Sequence, residues 1–230
     1  VTSEATTLEE WRAEAERLHR RYLVEVVEAH GFCPWAQRAR LGGTTAIRVL
    51  LHTSSEASSA GSVDALEGWA PDEKVEVGFL LYPRVSLARA EFDVFLARLQ
   101  AVMAERYPFG KWPFALAAFH PEAPADLDNA ERLIPFLRRS PDPCIQAVRM
   151  TVLERVRSGT PQGTQFVDAE SIADLMALKE SLPLRDRIAR ANLETVRRVG
   201  VEAVAARMED IRRDRELTYQ ALAARLGAAE

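Results

Sequence analysis

Cysteine is scarce in this chain: 230 residues hold two, Cys33 and Cys144. They stand in unrelated contexts with no C-x-x-C spacing, and no H-x-x-x-H pairs the four histidines. Both absences argue against a structural zinc site, and so few thiols argue against a disulfide framework. Reduced cysteines are the expectation. G-x-x-x-x-G-K and G-x-G-x-x-G are also missing, so the usual backbone cradles for nucleotide phosphates are absent. Charge of one sign is not concentrated anywhere. Thirty Lys and Arg against 34 Asp and Glu give a net charge of -4, with the signs interspersed. No basic patch supports nucleic-acid binding. No run reaches the roughly 18 apolar residues of a membrane span. The opening residues Val1-Thr2-Ser3-Glu4 are polar and acidic, with no basic-then-apolar leader after them. A cytoplasmic protein without membrane or nucleic-acid partners is expected.

Apolar residues are plentiful, at 47% of the chain, enough for a sizeable core. Trp11, Leu18, Tyr22, Val26 and Ala29 recur at helical spacing and predict a helix over Leu8 to Ala29, capped by Thr6 or Thr7 and stopped by Gly31. Pro34 suits the first turn of a short second helix running to Leu41. Strands are expected over Thr45–His52, Val75–Tyr82, Phe114–His120 and Ile145–Met150, where β-branched and apolar residues cluster between turn signals. Helices are expected over Ser62–Trp69, Leu87–Arg106, Ala130–Leu137 and Thr151–Arg157. The fold class is α+β: a small sheet of three or four strands with packed helices. Residues 158–163 (Ser-Gly-Thr-Pro-Gln-Gly) read as a linker closing a core domain of residues 1–157. Residues 164–230 read as a helical C-terminal extension, with helices over Phe166–Leu178, Leu184–Arg198 and Val201–Leu226.

Three stretches hold residues suited to chemistry. Cys33 precedes the second helix, where amide dipoles, Arg38 and Arg40 would favour a thiolate. Such a thiolate would be a nucleophile, a redox group or a ligand; a small buried hydrophobe is the plainer role of a free cysteine. His120 closes a strand next to Pro121, a position where side chains of catalytic use are often held. Arg138-Arg139-Ser140-Pro141-Asp142-Pro143 is a proline-braced loop whose guanidiniums could fork onto a carboxylate or phosphate. His19, on a charged helix face, and His30 and His52 carry weaker signals.

Two resemblances follow from these motifs. Cys-Pro-Trp-Ala-Gln-Arg, residues 33–38, resembles the active-site segment of omega-type glutathione transferases. That fold needs a strand before the cysteine, whereas this chain predicts a long helix there. The ordered set Phe32-Cys33-Pro34-Trp35-Ala36, Phe119-His120-Pro121 and Arg139-Ser140-Pro141-Asp142-Pro143 is similar to the bacterial family called domain of unknown function 1415, over about residues 10–157. Its strand ending in His-Pro resembles Phe79 to Pro83. Tyr82, Arg138 and Gln146 stand where that family has histidine, asparagine and histidine. The resemblance implies sites rather than an activity, and it groups Cys33, His120 and Arg139.

The resulting expectation is a small-molecule enzyme with a Cys–His–Arg pocket acting on an anionic metabolite. Cys33 would be the thiolate, His120 the acid/base, and Arg139 the anion holder, with Arg38, Arg138 and Ser140 assisting. Trp35 and Phe119 would form an apolar wall. Haem is the cofactor alternative, with Cys33 or His120 as the axial ligand. A non-catalytic redox-sensing or interaction protein is the alternative from another class. Its docking surface, for a partner or a second copy, would be the stripe Leu193, Val196, Val199 or Val204, Ile211 and Leu217 on the C-terminal helices.

Overall fold

The computed structural model describes residues 2–53, 59–123, 126–157 and 183–227. Helix α1 runs over Thr2–Tyr22 and continues as a π-helical segment, Leu23–Glu28. Next come α2 (Ala36–Leu41), β1 (Thr45–Val49), α3 (Ala60–Trp69), β2 (Val77–Leu81) and α4 (Arg89–Arg106). Then follow β3 (Phe114–Phe119), α5 (Ala130–Leu137), β4 (Cys144–Arg149) and α6 (Met150–Arg157). The described chain ends in α7 (Leu184–Val199) and α8 (Val201–Gly227). The expected linker at 158–163 and the helix at Phe166–Leu178 lie outside the described residues.

The strands form one sheet in the order β1-β2-β4-β3. β1 and β2 are parallel, joined through α3, and the other two pairings are antiparallel. All five residues of β2 are buried, because helices cover both faces of the sheet. Residues alternate between the faces. Val77, Phe79, Leu81 and Cys144 join a core with α1, α5, α7 and α8. Leu80, Ile145, Ala147 and Phe114 join a second core with α3 and α4. Gly78 is required there. A Cβ at this position would sit 2.4 Å from the Trp69 ring, which lies flat on the strand.

The first helix differs from the sequence expectation at both ends. It begins at Thr2, so Thr7 is buried inside the helix rather than capping it. It then widens: Ala29 N–H donates to Val24 O at 3.1 Å and Phe32 N–H to Val27 O at 2.9 Å, both five residues back. Gly31, at φ 66°, turns the chain out of this segment. His19 also departs from expectation. It is 1% exposed, set edge-on to Phe79 at 4.5 Å, and neither ring nitrogen has a hydrogen-bond partner among the described residues.

The last two helices are not set apart from the core. Val204, Met208, Ile211, Tyr219 and Leu222 of α8 are buried within the same core as α1 and β2. Leu193 and Val196 of α7 join them, so the stripe expected to dock a partner is largely spent inside the chain; Val199 and Leu217 stay exposed. Arg17 forks onto Asp214 with two bonds of 2.8 Å, and Arg21 reaches Asp214 at 2.7 Å and Asp210 at 2.8 Å. Asp142, buried before β4, accepts from Arg215 Nε at 2.6 Å and Tyr219 Oη at 2.8 Å. These polar ties fix α8 against α1 and against the loop that leads into β4.

Two predictions rest on this packing. The Arg17 and Arg21 guanidiniums hold the Asp214 carboxyl down at about 2, below its ordinary range. Their contribution is present above about pH 4 and lost as pH falls towards 2. Urea titrations should show Asp214→Asn costing about 1 kcal/mol at pH 7, discounted for partial exposure, and almost nothing at pH 2. Burial holds His19 at about 3, below an ordinary histidine. The unfolded chain therefore binds the extra proton first, and this site removes stability as pH falls from 6.5 towards 3. His19→Leu should raise stability by about 1–2 kcal/mol at pH 7 and by more at pH 5. An unchanged or lower value at both pH values would refute that account.

Candidate functional site

The main chamber lies between the α1 face of the sheet and the helices over it, with a volume of about 560 Å³. Ala115, Ala117 and Phe119 of β3 and Gln146 and Val148 of β4 supply its sheet wall. Tyr22, Leu23 and Val27 enter from α1 and the π-helical segment, whose wider turn brings them to the cavity. Cys33, Pro34 and Trp35 come from the loop before α2, and Ile188, Ala189 and Asn192 from α7. The loop is fastened on both sides. Asn192 Nδ2–H donates to Phe32 O at 3.1 Å, and Arg40 forks onto Glu28 with two bonds of 2.7 Å. Tyr22 Oη–H donates to Leu137 O at 2.6 Å, which locks the end of α5 to α1.

Cys33 belongs to this chamber, and the amides of Trp35 and Ala36 approach its sulfur as the sequence suggested. The surroundings of the sulfur do not favour a thiolate, however. Burial outweighs the two amides and the Arg138 charge and pushes the Cys33 thiol up to about 12. Cys144 is fully buried, and burial raises its thiol well above the ordinary range; both cysteines are free.

Arg138 also lines the chamber. Its guanidinium lies 5.4 Å from the Phe119 ring centroid and makes no hydrogen bond or ion pair with any described residue. Burial lowers its pKa, and the neighbouring charge of Arg185 lowers it further. Arg185, at the start of α7, lines the same opening, and no carboxylate pairs with either guanidinium among the described residues. Glu131 lines the neighbouring space without pairing to either, so the two cations form a receptive place for an anion. Trp35 adds an indole N–H that is buried and has no acceptor among the described residues.

The other expected residues fall elsewhere. His120 is 4% exposed and lines a neighbouring cavity of about 460 Å³, not the chamber. Its Nδ1 accepts the Glu122 N–H at 3.3 Å, which leaves the proton on Nε2 to donate to Leu87 O at 3.0 Å. With both nitrogens occupied it is placed as a brace between β3 and the start of α4 rather than as a base facing Cys33. Arg139 turns away from the chamber, donating to Ala123 O and stacking over Phe136 at 4.9 Å. Ser140 is buried and donates to Asp142 O. Arg38 is exposed and does not line the chamber, whereas Trp35 and Phe119 form its apolar wall as expected. The structure therefore joins Cys33 with Arg138 in the chamber, while His120 shares only the neighbouring cavity with Arg138 and Arg139 faces neither Cys33 nor the chamber.

Tyr22, Gln146, Arg185 and Asn192 line the chamber without having been expected as site residues. Arg185 lies in a helix rich in arginine, and nothing local distinguishes it. Gln146 does carry a signal, since it stands where the similar family has histidine. Tyr82, the other such position, is buried on the opposite face, with its Oη 2.9 Å from Ser62 Oγ. No group of three or more His, Cys, Asp or Glu is placed to hold a metal ion among the described residues.

The raised thiol makes Cys33 a slow nucleophile. Its alkylation by iodoacetamide, followed by mass spectrometry, should run at least tenfold below free cysteine at pH 7 and keep rising above pH 9. A faster reaction than free cysteine would show that the thiolate is stabilised after all.

No curated protein and no solved structure matches this chain. No described helix is long and apolar enough to cross a membrane. Residues 14–181 match the family described as "Protein of unknown function (DUF1415)". That span begins near the expected start and extends past the expected end at 157, across the stretch read as a linker. It also contains Cys33, Phe119, Arg138 and Gln146, all on the chamber wall. By this match over most of its length, the chain belongs to the DUF1415 family.

Proposed function

We propose that the protein acts on an anionic small molecule with an apolar body, held in the chamber beside Cys33. The observation that carries this reading is the pair Arg138 and Arg185 at an apolar chamber, with no carboxylate in an ion pair with either among the described residues. A cavity of about 560 Å³ falls within the usual range for small-molecule sites. The apolar body of the ligand would lie against Phe119, Trp35, Leu23 and Val27, and its anion against the guanidiniums. An anion bound there replaces water around Arg138 and pairs a charge that folding has already desolvated. Cys33 is the one nucleophilic side chain identified on this wall, so chemistry on the bound molecule would use its thiol.

Haem remains a second reading on one specific ground. The Cys33 sulfur lines an apolar chamber that also presents two arginines, which suit the two propionates of haem. An iron would displace the thiol proton, so the high pKa of the free thiol does not oppose it. Adding hemin to the purified protein and finding no Soret band would remove this reading.

The primary test is binding. Calorimetric titration with aryl- and alkyl-carboxylates should give heat with the wild-type protein. Arg138→Gln should weaken the best of them by at least tenfold. Cys33→Ala should leave binding intact and abolish any turnover. Equal binding of a neutral isostere, or no loss in Arg138→Gln, would defeat the proposal.

A further inference from the structure

The cavity next to the chamber extends this site. It has a volume of about 460 Å³ and shares Leu116, Ala117, Ile134, Arg138 and Arg185 with the chamber. The arginine pair therefore stands at a junction between two spaces rather than at the end of one. The second space differs in character. It runs past the outer edge of β3, with Arg89, Asp93 and Leu96 of α4 on one side and Glu131 and Pro135 of α5 on the other.

β3 is an edge strand, paired only with β4. Met150 N–H donates to Pro113 O at 2.8 Å, across the Phe114–Arg149 pair. That bond marks Phe114 and Arg149 as a pair that exchanges no hydrogen bonds of its own. In an antiparallel ladder the two kinds of pair alternate. Leu116 and Ala118 are then also non-bonded to β4, and their N–H and C=O groups point outward. Gln100 Nε2 reaching Leu116 O from outside the sheet, at 3.5 Å, agrees with this. Beyond them the edge is closed, because His120 N–H donates to Arg138 O at 3.0 Å. With Leu116 O already taken by Gln100, the open donor on this edge is the Ala118 N–H, and it fits one acyl carbonyl.

We propose that the two spaces form one site for an N-acylated α-amino acid with a bulky apolar side chain. Three groups meet at the α-carbon of such a molecule, and three receptors meet at Arg138. The side chain enters the apolar chamber. The carboxylate pairs with Arg138 and Arg185. The acyl carbonyl accepts from the outward Ala118 N–H at the edge of β3, while the N–H of the same trans amide points the other way. This inference rests on the anion-binding reading of the arginine pair and adds to it the amide and the branched shape. The same three groups occur at the C-terminus of a peptide, but the Leu116 C=O that a preceding residue's N–H would need is already held by Gln100.

The test is a set of titrations of the wild-type protein with N-acetylphenylalanine, 3-phenylpropanoate, N-acetylphenylalanine amide and N-acetyl-Ala-Ala-Phe. N-acetylphenylalanine should bind about tenfold more tightly than 3-phenylpropanoate, which lacks only the acyl amide. The carboxamide should bind at least tenfold more weakly, and the tripeptide should equal N-acetylphenylalanine. Ala118→Pro removes an outward N–H without touching the ladder to β4; if its melting temperature is retained, it should lose the preference for the acylated compound. Equal binding of N-acetylphenylalanine and 3-phenylpropanoate would overturn this inference and leave the anion site standing. A tripeptide more than tenfold tighter would overturn the single-amino-acid assignment. Absence of binding by every carboxylate would overturn this inference and the anion site together.

Discussion

The buried Asp142 carboxylate is the tie on which the site depends. It sits at the entry to β4, where Arg215 and Tyr219 of α8 both donate to it. Burial raises its pKa, and Arg215 opposes that rise most strongly. Removing one member of such a buried pair typically costs about 3–5 kcal/mol, because the other is left charged and unpaired. The loop held by this tie contains Arg138, Arg139 and Ser140. Its backbone also accepts the His120 N–H, so the same anchor joins α8, the end of β3 and the start of β4. α8 is thus part of what places Arg138, although it lies outside the family match.

A second constraint sits at the opposite wall. Six residues of π-helix at the end of α1 turn Leu23 and Val27 into the chamber and deliver the chain to Gly31 and Cys33. π-helical turns forfeit some backbone geometry and recur at functional sites. Around this chamber the polar groups divide into two kinds. Arg40, Glu28, Asn192 and Tyr22 are fully engaged in holding the walls. Arg138 and the Trp35 indole have no such protein partner among the described residues. Groups of the first kind build a site, and groups of the second kind are what a ligand can meet.

The motif residues themselves divide in the same way. Cys33 and Phe119 face the chamber, while His120, Arg139 and Ser140 are bonded to backbone groups. His120 ties β3 to the start of α4, Arg139 reaches back to Ala123 after β3, and Ser140 closes its own loop on Asp142. A recurring motif can mark a fold-holding clasp as readily as a reacting group, and only the bonding partners separate the two. For His120 the separation is clear, because both ring nitrogens already have a protein partner.

By itself the sequence determined the α+β class, four strands, and most of the helices. Periodicity, β-branched runs and Gly31 are local signals that act over one or two turns. It also determined that Cys33 precedes a short helix, because Gly31 and Pro34 bracket it. Tertiary structure decided the rest. The strand order, the burial of α7 and α8, and the His19 environment come from contacts between distant segments, such as Arg17 with Asp214. The same holds for the pairing of Arg138 with Arg185, from α5 and α7, which no spacing in the sequence encodes. The Cys33 thiol shows the reason most directly. Local amides favour its charge, but the walls gathered from distant elements desolvate it, and desolvation is the larger effect.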